Sequence, residues 1–118
     1  MLEKLLEISA LFDFYGALLT EKQQRCLEMH LFEDFSLSEI GSELGISRQA
    51  VYDIIHRSEQ SLQDYEHKLG LVERHEKERR ILQDIRQEMQ KLGKKDDKIE
   101  GILKKLSNLI GEVREAEH

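Results

Sequence analysis

The stretch from Leu37 to Leu62, LSEIGSELGISRQAVYDIIHRSEQSL, does most to fix what this chain can become. Ile40, Leu44, Ile46, Val51, Ile54 and Ile55 recur at spacings that give one small apolar core between two short helices. Gly45 falls at the bend, where the backbone needs a positive φ after the first helix, and glycine takes that conformation without steric cost. Ser47 then stands where its side-chain oxygen can accept from a free N–H in the first turn of the second helix. Two helices joined by a short glycine-containing turn form a helix-turn-helix, a unit that often places a recognition helix in the DNA major groove.

The flanks agree with that reading. The 118 residues contain no proline and are 36% charged and 6% aromatic, a composition that favours long helices over strands. We expect an all-α fold. A first helix is expected over Leu2–Leu19, with Leu5, Ile8, Leu11, Phe12, Tyr15, Leu18 and Leu19 making one apolar face. Thr20 with Gln23 forms a capping box that opens a second helix, Glu21 to Phe32. Ser36 with Glu39 forms another and opens a third, Leu37 to Leu44. Ser47 opens a fourth that continues to about Leu69, where Gly70 breaks it.

Beyond Gly70 the character changes. Leu71 to Leu92 read as one long charged helix with Leu82, Ile85, Met89 and Leu92 along it. Gly93 to Asp97 read as a turn, with Asp96 or Asp97 as cap. A last helix carries Ile99, Ile102, Leu103, Leu106, Leu109, Ile110 and Val113. The organisation expected is a helix-turn-helix domain at 1–70, with its motif at 37–62, and a C-terminal antiparallel helical hairpin at 71–118. The hairpin's apolar stripes are narrow: stepping back from Leu82 lands on Glu78 and His75. Helices gain most of their stability from packing, so such a hairpin needs a partner surface. Homodimerisation through Leu82, Ile85, Met89, Leu92, Ile99, Ile102, Leu103 and Leu106 supplies one; packing within a monomer is the alternative. The run Glu73 to Arg80 suits a solvated helix with Glu73–Lys77 and Glu76–Arg80 pairs. It also offers Arg74, Lys77, Arg79, Arg80 and Arg86 to a nucleic-acid backbone, although the interspersed glutamates oppose that use.

Charge tempers the DNA reading. Residues 1–70 hold 6 Lys/Arg against 13 Asp/Glu, whereas residues 71–118 hold 12 against 11. DNA-binding domains are usually basic, because their affinity comes largely from cations displacing counterions. The fourth helix nevertheless presents Arg48, Gln49, Tyr52, Asp53 and His56 opposite Val51, Ile54 and Ile55. Arg48 can pair with guanine, Gln49 with adenine, and Asp53 can accept from cytosine. Ser47, Arg57, Lys22 and Arg25 are the expected phosphate contacts. Tyr52 would serve equally as an aromatic at a protein interface.

Other chemistries find little support. His30, His56, His67, His75 and His118 show no metal-ligand spacing, and the single cysteine, Cys26, reads as a buried reduced thiol. No cofactor or metal, no enzyme activity, no signal peptide, no membrane insertion and a cytoplasmic location are expected.

From Leu19 to Leu62 the sequence resembles region 4 of sigma factors, through LTEKQ, SLSEIGSELGIS and the pair His56–Arg57. That region reads promoter DNA with the second helix of its motif. The present chain departs from it at Tyr52, Asp53, Ile54, Glu59 and Ser61, each change removing positive or adding negative charge. Taken whole, from MLEK through the charged tail, the chain resembles the YlxM family of small bacterial helix-turn-helix proteins. Genes of that family tend to lie beside those of signal recognition particle GTPases. The resemblance therefore implies a DNA-binding regulatory protein that takes part in the signal recognition particle pathway, with components of that particle as partners. The alternative is an adaptor of the secretion machinery that keeps the motif as scaffold.

Overall fold

A computed structural model describes residues 2–92 and 97–110. Among the described residues six α-helices follow one another: α1 (Leu2–Tyr15), α2 (Glu21–Leu31), α3 (Leu37–Leu44), α4 (Arg48–Leu69), α5 (Leu71–Lys91) and α6 (Asp97–Leu109). A single 3-10 turn, Gly16–Leu18, lies between α1 and α2. The described residues contain no strand, and the fold is all-α with a helix-turn-helix. The chain divides at Gly70 into two compact units.

Local chemistry sets the helix starts of the first unit. Thr20 Oγ1 accepts from the Gln23 N–H at 3.2 Å while Gln23 Oε1 accepts from the Thr20 N–H at 3.1 Å. Ser36 and Glu39 repeat the exchange at 3.1 and 3.0 Å. Each box satisfies two donors that the first turn leaves without a helical acceptor. Ser47 Oγ accepts from the Ala50 N–H at 3.0 Å. Gly45 and Gly70 close α3 and α4 in the left-handed region, at φ 70° and 62°.

The first helix ends earlier than its apolar pattern suggests. The α-helix stops at Tyr15, not Leu19, because the side-chain amide of Gln24 donates to the Gly16 and Leu19 carbonyls at 2.8 and 3.2 Å. The Gly16 carbonyl also accepts the Leu19 N–H at 3.1 Å, so the chain closes a 3-10 turn here instead of continuing the α-helix. Leu18 leaves the apolar face as a result and is 55% exposed. Leu5, a turn before buried Ile8, is exposed along an open cleft with Lys4, His30 and Glu59.

The core of this unit collects Ile8, Leu11, Tyr15 and Leu19 with Cys26, Leu27 and Met29 of α2, Ile40 of α3, and Val51, Ile55 and Leu62 of α4. The motif's own core is uneven: Ile40, Val51 and Ile55 are buried, whereas Leu44, Ile46 and Ile54 are partly open. Ser58 is also fully buried, its hydroxyl donating to the Ile54 carbonyl one turn back at 2.6 Å. Its polar group therefore costs little inside the core.

In the second unit, Leu82 of α5 and Leu103 of α6 are buried, and Arg86 Nη2 donates to the buried Ser107 Oγ at 3.0 Å. Along α5, Lys77 pairs with Glu73 at 3.2 Å as the spacing suggests. Glu76 lies beside Arg79 at 3.8 Å rather than serving the expected Arg80, and Arg74 pairs with Glu78 at 3.4 Å. One turn of helix allows either partner, and the side chains here chose the i,i+3 one. Asp97 is the first residue of α6 and not its cap. Gly93 to Asp96 of the expected turn, and Val113, lie outside the described residues. Among the described residues no helix is long and apolar enough to cross a membrane.

Candidate nucleic-acid interface

The turn between α3 and α4 is tight because Gly41 lets it be. A Cβ on Gly41 would sit 2.7 Å from the Ile46 carbonyl oxygen, closer than real atoms allow. Without one, the Ile46 N–H donates to the Gly41 carbonyl at 3.0 Å and folds the turn back onto α3. Glycine in a helix interior is itself a signal of close backbone approach, and here it marks a residue that pattern reading alone passed over.

With Val51 and Ile55 committed to the core, the opposite side of α4 faces water. Arg48, Gln49, Tyr52, Asp53, His56 and Arg57 are all exposed, as is Ser47 at the cap. Two i,i+4 pairings organise this face. Gln49 Nε2 donates to Asp53 Oδ1 at 3.2 Å, and the Tyr52 and His56 rings stack obliquely, centroids 4.2 Å apart at 53°. The Gln49–Asp53 pair leaves the side-chain oxygen of Gln49 open and puts an acid on this exposed face. Ser47, accepting from Ala50, keeps its hydroxyl hydrogen for an outside acceptor.

The two cations expected on α2 differ. Lys22 is exposed. Arg25 is engaged: Nη1 lies 2.8 Å from Glu33 Oε2 and 3.9 Å from Glu28 Oε2. Both partners stay exposed, so Glu33 competes for the Arg25 guanidinium without cancelling its charge. One turn along from Lys22, Cys26 is wholly buried, and burial pushes its thiol above the ordinary value against the lowering pull of the Lys22 ammonium. Glu39, by contrast, is held below the usual carboxylate range by the Ser36 N–H and hydroxyl. Among the described residues no three of His, Cys, Asp and Glu gather as metal ligands would.

A family model described as "Putative helix-turn-helix protein, YlxM / p13 like" matches residues 2–102. The chain belongs to this family, UPF0122. The match runs from the start of α1 into α6, so it takes in the motif and most of the hairpin. The UPF0122 protein BH2485 of Halalkalibacterium halodurans is 48% identical over 91 residues, which cover 77% of this chain and 84% of the relative. The UPF0122 protein GK1195 of Geobacillus kaustophilus is 38% identical over 109 residues, covering 92% and 99%. The UPF0122 protein STH1464 of Symbiobacterium thermophilum is 49% identical over 80 residues, covering 68% and 75%. UPF0122 is thus a helix-turn-helix family, and its description names no enzyme activity.

Proposed function

We propose that this UPF0122 protein is a DNA-binding regulator whose reading head is the first three turns of α4. One observation carries the proposal. Arg48, Gln49, Tyr52, Asp53 and His56 all stand exposed on a helix whose other side is locked in the core, directly after a capped, tightly folded turn. A recognition helix needs that arrangement: rigid placement on one side and open hydrogen-bonding groups on the other. Arg48 is the guanine reader, Gln49 and Asp53 act together as a donor–acceptor unit, and the Tyr52–His56 stack offers an apolar and polar edge to the bases. Ser47, Arg57 and Lys22 hold phosphates. Arg25 contributes only after breaking from Glu33.

So few cations give weak electrostatics. Two cationic phosphate contacts, Arg57 and Lys22, correspond to a salt slope of roughly −2, far shallower than that of strongly basic binders. We extend the proposal to regulation within the signal recognition particle pathway, as the gene neighbourhood of the family it resembles implies.

A genomic-fragment pull-down at about 50 and 200 mM salt tests the proposal, because sequence-specific complexes survive where purely electrostatic ones vanish. Defined fragments should be recovered by the natural protein and lost with Arg48→Ala plus Gln49→Ala at unchanged helicity. The second reading, an adaptor in which the motif is scaffold, draws on the acidic balance of residues 1–70 and on Asp53 occupying Gln49. Weak retention without sequence preference, gone at the higher salt, would overturn the DNA reading and turn the search to a protein or RNA partner of the adaptor.

A further inference from the structure

The α5–α6 hairpin has two unlike sides. Its seam consumes Leu82 and Leu103, 5% and 3% exposed, and Arg86 closes one side of it on Ser107. On the other side Ile81, Ile85 and Leu92 of α5 are 60, 36 and 72% exposed, and Ile102, Leu106 and Leu109 of α6 are 58, 38 and 81% exposed. At about 100° per residue each trio falls within a narrow arc of its helix. The two arcs open on the same side, since Ile81, Ile85 and Leu106 line one apolar groove with Leu82 at its floor.

Those six side chains leave on the order of 600 Å² of carbon surface in water, at the top of what a monomer leaves contiguous and near the roughly 800 Å² one partner brings to a standard interface. The charges bordering this face differ in balance between its two edges, acidic on α5 save for the exposed Lys91 and basic on α6. The helical repeat puts Asp84 and Glu88 next to the apolar arc on α5, and Lys98 and Lys105 next to it on α6, all four exposed. Lys77, on the same edge of α5, is paired with Glu73.

We propose that a second copy of this chain covers the face, forming an antiparallel four-helix bundle about a two-fold axis parallel to the helices. That axis lays α5 of one copy on α6 of its partner, so the acidic edge of each meets the basic edge of the other. Asp84 comes level with the partner's Lys105 and Glu88 with the partner's Lys98, because the seam fixes the same heights within each hairpin. A two-fold perpendicular to the helices is disfavoured: it would set Lys98 and Lys105 against their own copies. The expected dimer interface is thereby revised. Leu82 and Leu103 support it from within the seam, and Ile81 and Leu109 join it.

Sedimentation equilibrium of the full chain tests this without reference to DNA. The natural protein should be dimeric. Ile81→Asp with Ile102→Asp, both outside the seam, should make it monomeric at unchanged helicity. Asp84→Lys and Lys105→Asp should each weaken dimerisation roughly tenfold, and the two together should restore most of it. A monomeric natural protein, a dimer indifferent to the Ile81 and Ile102 changes, or a double charge exchange no better than either single one would overturn the proposal.

Discussion

Tyr15 Oη donates to Glu66 Oε1 at 2.6 Å across 51 positions of sequence. The Tyr15 ring is wholly buried and lies 6.0 Å from Tyr65, so the last buried residue of α1 is tied to the far end of α4 by both its apolar body and its polar tip. A tyrosine interred this deeply needs a partner for its hydroxyl, and a carboxylate supplies a strong one. Tyr15→Phe keeps the ring and removes this one hydrogen bond to Glu66. It should lower stability by about 1–2 kcal/mol, read from urea unfolding, with the far-ultraviolet spectrum unchanged.

Gly41 and Gly45 look alike in sequence and should respond differently to substitution. Gly41 has the Ile46 carbonyl 2.7 Å from where a Cβ would go, whereas Gly45 has open space but φ 70°. Gly41→Ala should cost about 1–3 kcal/mol because backbone must move. Gly45→Asn should cost under about 1 kcal/mol, since asparagine tolerates the left-handed region better than other side chains do. Equal losses at the two sites would contradict the steric account.

Glu39 gives the first unit an acid-sensitive element. Its carboxyl is held below the ordinary value by the Ser36 N–H and hydroxyl, so the ionised form is favoured by folding. The stability it adds is present above the ordinary glutamate range, about 4.3, and is lost as pH falls through the depressed folded value. Glu39→Gln retains an acceptor for the capping box, as Gln23 does for Thr20, but has no proton to take up. The urea midpoint of that variant should fall less steeply on acidification than that of the natural protein; parallel acid limbs would remove Glu39 from the explanation.

Cys26 should report opening of the first unit. It is wholly buried, and burial raises its thiol further from the reactive thiolate. Alkylation should therefore be slow in the native protein and should accelerate with urea in step with unfolding. Rapid labelling without denaturant would mean that α2 separates from the core locally.

The sequence by itself determined the helix-turn-helix and the helix starts. Thr20–Gln23, Ser36–Glu39, Ser47–Ala50 and the left-handed Gly45 and Gly70 all act within three or four residues, so the chain's own order contains both partners. The family was legible for the same reason, since the motif is continuous. Tertiary structure decided what depends on meeting a distant group. Gln24 reached back to Gly16 and ended α1 early, which put Leu18 into water despite its place in the apolar pattern. Glu33 captured Arg25 from across the α2 terminus and competes for a cation of the expected phosphate set. Packing also chose which leucines the hairpin spends on its own seam, and so which apolar side chains it leaves facing out. Spacing along one helix gives direction but not what stands there, and only the packed chain supplies that neighbour.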